Sequence, residues 1–495
     1  MKKLLLLLLT SVPVTSLNAQ FGDAKWSEIR KSPDSFVLLA LSEDAASSAY
    51  ALHGNHEKKP TRFLLEVFDE DMNAKESIEF TLPVSEEGSS RYLGAHSFGS
   101  DFYIFATYID KSNTAGPRHY VFAYKVTSQG IVDKTELTHV DFTNGLPTGD
   151  FKIAFSTSGD YYCILSEHPV QEGANELVTI SVFGPSNKAV FSKELPLDVT
   201  FKKNIHNYIF CTNAGGAYLV KKDKEKNVFR YLAYSIELET TSLSGKVILI
   251  PNRHVTDIRV QVTETGHLYL GGFTSTEPVH EYTGYFLFGF DAALNTTFRT
   301  TGTFDEYTLE LMLGKKGSKS AVLRGFYIDR IVTVGDGTTY LLAEEQTHSK
   351  GEKKEEHAYG NILVLAFAKE GKYKKSYCIK KSQNTSFEKS DFASYAVWIK
   401  KDTIYLGFND VTSDLIAKNE SSKISDKSFL KSHIVTASYE TGMVDNTWIE
   451  KFTDNDISPL AFEPSIIFVN KKNELFMRFL SPDQKFYRLA KMALK

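Results

Sequence analysis

The sequence predicts an all-β fold, a β-propeller of eight four-stranded blades, with a seven-bladed ring as the alternative. Three observations predict it. One strand-and-turn unit recurs along the chain, its third strand is almost continuously apolar, and aromatic residues are abundant, with 35 Phe and 25 Tyr. A length of 495 residues would also suit several domains, but no Pro-, Gly- or Ser-rich linker divides the chain.

The recurring unit is clearest in residues 257–304. An apolar strand leads into a tight turn at 265–266, and a second strand follows with an aromatic residue near its start. A third strand, another turn and a fourth strand complete the unit. Four consecutive antiparallel strands of this kind form one propeller blade.

One aromatic residue per unit aligns near the start of the second strand. The turns before these residues are rich in Gly, Asp and Asn, which accept a positive φ or hydrogen-bond their own backbone. The first copy of the unit is the least regular. The aligned residues are Tyr50, Tyr103, Tyr162, Tyr218, Tyr269, Tyr340, Tyr405 and Phe476.

The third strands are apolar runs, as in residues 362–367. A strand that is buried on both faces has this composition, and the middle strands of a propeller blade lie between two neighbouring blades. The repeated sheets can therefore bury their apolar faces by packing against one another in a ring.

The last unit contains only three strands, at residues 466–469, 475–479 and 486–491. Residues 25–30 precede the first full unit, and we expect them to supply the missing outer strand, which would close the ring and cover a sheet edge. A free N-terminal tail is the alternative.

Residues 1–19 are predicted to be a signal peptide, because two lysines precede the apolar run 4–9 and residues 17–19 form a small-residue cleavage site. An uncleaved anchor is the alternative, although a spanning helix needs roughly 20 apolar residues. A single propeller domain over residues 20–495 would follow. The first cysteine is Cys163, so a lipid anchor on a new N-terminal cysteine is excluded. We expect a periplasmic or extracellular protein with no membrane span after cleavage.

The charge of the chain argues against nucleic acid as a partner. Removal of the two N-terminal lysines changes 57 basic residues into 55, which against 61 acidic residues gives a net charge of −6. Binding to phosphates requires clustered Lys and Arg. The sequence indicates neither the oligomeric state nor the partner.

Three insertions lengthen the later units. Residues 305–325 form the largest, and we expect an extra hairpin or loop on one rim. Residues 348–357 and 418–427 carry charges of both signs, which is typical of solvated loops.

No catalytic, cofactor-binding or metal-ligating residue is predicted, and no cofactor is implied. The sequence lacks the Walker motif, a strand-linked Gly-x-Gly-x-x-Gly, Gly-x-Ser-x-Gly and His-Glu-x-x-His. The three cysteines, Cys163, Cys211 and Cys378, lie in strand-like apolar segments without a nearby histidine. We therefore expect buried packing residues rather than nucleophiles.

Two pairs of histidines could each supply part of a zinc site. His53 and His56 are predicted to lie in a loop after a strand, and His348 and His357 bound a charged insertion. Neither pair has a third ligand that the sequence can name, so ordinary polar loops are the favoured interpretation.

Residues 69–73 alternate oxygen ligands as a calcium loop does. The pattern then fails, because Ala74 and Phe80 stand where the loop needs Gly and a bidentate Glu. A plain hairpin turn between the third and fourth strands is the favoured interpretation.

The segments 336–345 and 360–365, together with the Lys-Lys-Leu start, resemble exported β-propeller proteins of Gram-negative bacteria whose functions are not assigned. The resemblance covers roughly the whole mature chain and implies the fold alone. It does not extend to the better-known repeat classes, because no recurring Trp-Asp dipeptide, double-Gly signature or regular Asp box occurs. It therefore supplies no site residues.

Two classes of function remain open. The first is a non-catalytic binding or scaffold protein of the cell envelope, which would recognise an envelope protein or a glycan through a rim or the central funnel. The second is a glycan- or peptide-directed hydrolase or lyase, with carboxylates and histidines converging on the funnel. Several such groups within hydrogen-bond reach in the channel would favour the enzyme, and an apolar or hydroxyl lining would favour binding.

Overall fold

The computed structural model describes residues 24–493 apart from short gaps. The gaps are 33–35, 56–59, 86–87, 113, 115, 144–147, 172, 201–206, 226–227, 239–242, 251–252, 256–257, 278–280, 318–321, 351–354, 387–392, 411–421, 424–430, 439–441, 449–459 and 482–483. The signal-peptide prediction and His56 lie outside the described residues.

Two short N-terminal strands precede the first blade, and seven blades follow as meanders of consecutive antiparallel strands. The N-terminal pair is β1 (Lys25–Trp26) and β2 (Arg30–Lys31). Blade 1 contains β3 (Phe36–Glu43), β4 (Ala49–Asn55), β5 (Arg62–Phe68) and β6 (Ala74–Thr81). A small hairpin follows, of β7 (Val84–Ser85) and β8 (Gly88–Ser89).

Blades 2 to 4 have the same plan, with short connections between them. Blade 2 contains β9 (Arg91–Phe98), β10 (Asp101–Asp110), β11 (Arg118–Thr127) and β12 (Gly130–Asp141). Blade 3 contains β13 (Asp150–Phe155), β14 (Tyr162–Glu167), β15 (Asn175–Phe183) and β16 (Ala189–Thr200). Blade 4 contains β17 (Asn207–Cys211), β18 (Ala217–Glu225), β19 (Val228–Ile236) and β20 (Leu243–Ile248).

Blades 5 to 7 carry additional elements. Blade 5 contains β21 (Ile258–Val262), β22 (Leu268–Thr274), β24 (Gly284–Phe290) and β25 (Thr296–Thr303), with β23 (Glu281–Tyr282) in a connection. Helix α1 (Glu306–Gly317) and β26 (Leu323–Arg324) precede blade 6, which contains β27 (Phe326–Thr333), β28 (Thr339–Lys350), β29 (Glu355–Phe367) and β30 (Tyr373–Ile379). After β31 (Gln383–Ser386), blade 7 contains β32 (Ala396–Lys400), β33 (Thr403–Asp410), β35 (Lys431–Ser438) and β36 (Gly442–Trp448), with β34 (Ser422–Lys423) in a connection.

Blade 8 combines the two ends of the chain. It contains β37 (Ala461–Val469), β38 (Glu474–Leu480) and β39 (Phe486–Ala493), and both N-terminal strands pair antiparallel with β39. Lys25 lies opposite Lys491, and Arg30 lies opposite Tyr487. This confirms that the N-terminal segment supplies the missing outer strand.

The blades are held in a ring by eight apolar clusters, one between each successive pair. The cluster that joins the first and last blades contains Leu38 and Ala51 of blade 1 and Phe476 and Tyr487 of blade 8. The all-β propeller is thus confirmed. Seven meanders are built from consecutive strands, and the closing sheet is the eighth blade.

The repeat seen in the sequence corresponds to the blades. All eight aligned aromatics lie in the second strand of their blade. The turn before each of them contains one residue with a positive φ, and three of these are not glycine. The eight residues are Ser47, Gly99, Gly159, Gly215, Gly266, Gly337, Lys401 and Asn473.

The antiparallel meander gives the ring two different rims. The turn rim is the side of the ring that carries the turns between the first and second strands and between the third and fourth strands of each blade. The crossover rim is the opposite side, which carries the second-to-third connections and the links between blades. Because every blade starts its innermost strand at the crossover rim, all insertions between blades lie on that side.

The prediction that residues 305–325 form an extra hairpin or loop was wrong. Residues 306–317 form helix α1, with Gly314 in a non-helical conformation, and not a hairpin or loop. Asp305 precedes the helix and its carboxylate accepts a hydrogen bond from the Thr308 amide at 2.7 Å, which is an N-cap. Leu309 and Met312, three residues apart, are buried in the cluster between blades 5 and 6.

The two charged insertions also differ from simple loops. Residues 348–350 and 355–357 extend the hairpin of β28 and β29 beyond the blade, and β31 pairs with the outer part of β29. Most of residues 418–427 lie outside the described residues, although β34 pairs parallel with β31. In the part of the chain that the structure describes, no helix is long and apolar enough to cross a membrane.

Candidate functional site at the crossover rim of blades 5 to 7

The innermost strand of blade 6 contains a β-bulge at Asp329. Ile328 pairs with Ala343 and Arg330 pairs with Leu342, so Asp329 has no partner opposite it. A bulge bends the strand and redirects the side chains next to it. Two charged residues therefore stand in the channel-facing strand, with 32% of the Asp329 side chain and 40% of the Arg330 side chain exposed.

Neighbouring blades contribute to the same place. Arg330 Nε donates to Asp329 Oδ2 at 2.5 Å, and Arg259 Nε of blade 5 donates to the Asp329 carbonyl at 2.8 Å. The Arg330 guanidinium lies 5.9 Å from the centre of the Tyr395 ring, which precedes blade 7. Tyr327 is 41% exposed. We call Arg259, Tyr327, Asp329, Arg330 and Tyr395 the channel mouth.

A buried polar network supports the channel mouth. The Glu344 carboxylate, 1% exposed, accepts from Lys381 Nζ, from Gln346 Nε2 at 2.9 Å and from Ser394 Oγ at 2.8 Å. Gln383 Oε1 accepts from Lys381 at 2.7 Å and from the Ser394 amide at 2.9 Å. Because both acceptors have several donors, the network is a rigid support and offers no free carboxylate.

Burial also affects Tyr395, the most enclosed residue of the channel mouth. The ring is 3% exposed, and burial raises the pKa of its hydroxyl well above the ordinary value of 10. The phenol therefore stays protonated at physiological pH and can only act as a neutral group.

On the turn rim, an ion pair joins two blades that are not neighbours. Lys471 Nζ of blade 8 lies 2.9 Å from Asp160 Oδ1 of blade 3, although blades 1 and 2 lie between them in the ring. The hydrogen bond from Lys471 is the main cause of the lowered pKa of Asp160. This ion pair therefore links two blades that are not neighbours in the ring.

The other innermost strands carry half-buried side chains of both kinds. Apolar ones include Leu39, Leu93 and Ile153. Charged ones include Arg91, which pairs with Asp150, and Lys152, which pairs with Glu167.

His53 is not a loop residue, which corrects the sequence interpretation. It lies in β4, fully buried, and its Nε2 is 2.9 Å from Glu66 Oε2. Glu66 also accepts from Tyr487 and lies 3.1 Å from Arg30 Nε. Burial lowers the pKa of His53 more than Glu66 raises it, so the ring is neutral at pH 7. This cluster fastens the N-terminal strand to blades 1 and 8.

The other residues that the sequence singled out have structural positions. His348 and His357 are opposite each other in the extended hairpin, with their Nδ1 atoms 2.5 Å apart. Asp69 Oδ1 accepts the amides of Asp71 and Asn73 in the turn between β5 and β6, which confirms the hairpin turn. Among the described residues, no three His, Cys, Asp or Glu side chains are grouped as metal ligands.

All three cysteines are free and buried, as predicted. None of them is near the channel mouth. Cys163 and Cys211 lie in the cluster between blades 3 and 4, and Cys378 lies in the cluster between blades 5 and 6.

The sequence analysis did not identify the channel mouth. Asp329 and Arg330 interrupt the otherwise apolar strand β27, and that interruption was the available signal. Their convergence with Arg259 and Tyr395 depends on which blades are neighbours and on a bulge, and neither can be read from local sequence.

The chain was compared with known proteins. No family model matches it, and no curated protein is significantly similar to it. Solved structures that share its β-architecture include a polysaccharide lyase, Uly1, with 12% identity and a TM-score of 0.38 over 79% of this chain and 88% of that one.

Two further structures are similar at the same level. A puromycin-hydrolyzing peptidase of Mycobacterium tuberculosis has 11% identity and a TM-score of 0.38 over 90% of this chain, which spans 59% of the peptidase. The β-propeller domain of the Trilobed protease from Pyrococcus furiosus has 9% identity and a TM-score of 0.36 over 86% of this chain and 98% of that domain. These similarities assign no activity to this chain.

Proposed function

We propose that this chain is a non-catalytic, exported binding protein of the cell envelope that takes a glycan at the channel mouth of blades 5 to 7. The observation that supports this proposal is the Asp329–Arg330 pair, which is half-exposed on a bulged innermost strand beside an exposed tyrosine. A carboxylate and a guanidinium side by side accept from and donate to neighbouring sugar hydroxyls, and an aromatic ring packs on a sugar face.

The same geometry disfavours a glycoside hydrolase as the alternative. Glycoside hydrolysis requires two carboxyl groups on either side of the scissile bond, one of them able to donate a proton. In the channel mouth Asp329 is already paired with Arg330, and the nearest buried carboxylate that supports it, Glu344, is 1% exposed and accepts three hydrogen bonds. These groups can orient a ligand, but they are not arranged as an acid and a base.

Binding can be tested on an array of bacterial envelope glycans with the purified mature protein. We expect Arg330→Gln and Tyr327→Ala each to weaken glycan binding by roughly tenfold, because each removes one good polar or stacking contact. Arg91→Gln is the matched control, because Arg91 begins the innermost strand of blade 2, is 36% exposed and pairs with Asp150. Equal losses for Arg330→Gln and Arg91→Gln would place the ligand elsewhere.

Two other outcomes would overturn parts of the proposal. Release of new reducing ends from the bound glycan over days, abolished by Asp329→Asn, would show catalysis. Recovery of an envelope protein in a pull-down that depends on Arg330, with no glycan retained, would keep the channel mouth as the site and replace the ligand class.

A further inference from the structure

Two of the three cysteines lie against each other across a blade boundary. Cys163 is in β14, the second strand of blade 3, and Cys211 ends β17, the innermost strand of blade 4. Strands β14 and β17 are in direct contact, both cysteines are packed in one apolar cluster, and burial together with Cys211 raises the pKa of the Cys163 thiol. Both thiols are reduced, and the residues are 0% and 6% exposed.

The surroundings of the two sulfurs are apolar. They belong to one cluster with Leu165, Leu219 and Leu232, and Cys211 Sγ donates to the Thr212 carbonyl at 3.8 Å. The third cysteine, Cys378, lies in a different cluster between blades 5 and 6. One specific pair therefore exists, and one cysteine is left over as an internal reference.

We propose that Cys163 and Cys211 are a disulfide site that joins blades 3 and 4 when the chain is exposed to a small-molecule disulfide such as glutathione disulfide. The inference does not depend on the proposed ligand. It depends on the packing of both cysteines in one cluster, on two strands that are in contact, and on the absence of any other cysteine among the described residues of that cluster.

The reaction is a pair of thiol–disulfide exchanges. The Cys211 thiol, the more exposed of the two, loses its proton and attacks one sulfur of glutathione disulfide, which releases one glutathione thiolate. The Cys163 thiol then loses its proton and attacks the protein-bound sulfur of the mixed disulfide, which releases the second. The two protein thiols are oxidised, and one glutathione disulfide is reduced to two glutathiones.

The packed interface controls the rate of this reaction. Burial raises the pKa of the Cys163 thiol, and only the thiolate is a nucleophile. We therefore expect slow bridging in the folded protein and fast bridging when oxidant is present while blades 3 and 4 pack. The bridge would enclose the segment from 163 to 211 and so restrict the unfolded chain.

A peptide map of wild-type protein refolded in a glutathione and glutathione disulfide buffer tests the site directly. After alkylation in denaturant and trypsin digestion, we expect peptides 153–188 and 204–221 to be linked, two hydrogen atoms lighter than their sum. Peptide 376–380, which contains Cys378, should be alkylated. Full alkylation of Cys163 and Cys211, or a link to Cys378, would overturn the proposal.

The stability of variants provides a second readout. Oxidative refolding should raise the midpoint of thermal unfolding of wild type by several degrees, because the crosslink reduces the entropy of the unfolded chain. Cys163→Ala should lose this gain, and Cys378→Ala, the matched control, should keep it. An equal gain in Cys163→Ala would show that another oxidation is responsible. If Cys163→Ala does not fold, the peptide map on wild type still decides.

Discussion

Blades 2 to 4 and blades 5 to 7 have the same four-stranded core and the same interblade packing, but their crossover rims differ. Blades 2 to 4 are linked by short connections. Blades 5 to 7 carry helix α1, a hairpin that extends beyond the blade, and the added strands β23, β26, β31 and β34. The four-stranded core is thus the same in both sectors, and apart from the small β7–β8 hairpin between blades 1 and 2 the added elements are those of blades 5 to 7.

The comparison teaches that stability and recognition can be separated in this molecule. Both sectors contain a fully buried lysine paired with a glutamate, Lys221 with Glu176 at 2.7 Å and Lys381 with Glu344. Only the second pair lies beneath half-exposed charged groups on a bulged strand. Similar buried pairs can therefore support a blade in one sector and the proposed ligand site in the other.

Substitution of the two buried lysines is the strongest way to test that separation. Lys381→Met and Lys221→Met should each lower the free energy of unfolding by about 3–5 kcal/mol, because each leaves a buried carboxylate without its cation. Urea unfolding measures both losses. Glycan retention should fall only in Lys381→Met, and a parallel fall in Lys221→Met would contradict a site restricted to blades 5 to 7.

Removal of the apolar anchor of helix α1 should have the next largest effect. Leu309 is 5% exposed in the cluster between blades 5 and 6, so Leu309→Ala should cost about 2–5 kcal/mol. Thermal unfolding and limited proteolysis near α1 would report the loss. Tyr307→Ala is the control on the same helix, because Tyr307 is 61% exposed, and it should leave both measurements nearly unchanged.

Acidification should destabilise blades 1 to 3 before it destabilises blades 5 to 7. His53 and His119 are buried, His96 and His168 are half-buried, and burial lowers the pKa of each in blades 1 to 3. The unfolded chain therefore binds protons near pH 6.5 that the folded chain does not, and stability falls as pH drops through 6.5 toward the folded pKa values.

Hydrogen exchange at pH 7 and at pH 5.5 measures this difference within one sample. We expect a loss of amide protection in blades 1 to 3. Blades 5 to 7 should keep theirs, because no histidine is fully buried in their described residues. Equal losses in both sectors would show that carboxylates or global unfolding dominate instead.

The smallest expected effects come from single carboxylate caps. Asp305→Ala removes the N-cap of α1 and should cost about 1 kcal/mol. Asp44→Ala is the counterpart in blade 1, where Asp44 Oδ1 accepts the amides of Ala46 and Ser48 at 2.8 Å. Both variants should lose a similar few degrees of thermal stability. A much larger loss in Asp305→Ala than in Asp44→Ala would show that Asp305 does more than cap the helix.

The regular part of the fold could be predicted because it repeats. Eight aromatics and seven of the turns before them were visible in the sequence, since each blade solves the same packing problem with similar residues. Helix α1 was missed although Asp305 and the spacing of Leu309 and Met312 are helix signals, because the glycines at 314 and 317 suggested turns. His53 was placed in a loop because the Gly-Asn that follows it is typical of turns, but pairing with β3 and β5 continues the strand.

The channel mouth could not be predicted from local sequence, and the reason is physical. Asp329 is directed toward its neighbours by a bulge whose existence depends on pairing between β27 and β28. Arg259, 70 positions earlier, reaches the Asp329 carbonyl only because blades 5 and 6 stand side by side. Contacts of this kind follow from the ring and not from any one segment.

The sheet that joins Arg30 to Tyr487 has a consequence for biogenesis. Its outer strands come from residues 25–31, which are synthesised early, and its inner strands come from residues 461–493, which are synthesised late. An incomplete chain can form individual blades but leaves an open arc with an unpaired edge. The last three strands must therefore be synthesised before the arc can become a ring, and a protease that acts on the incomplete chain would meet an assembly whose two ends are still apart.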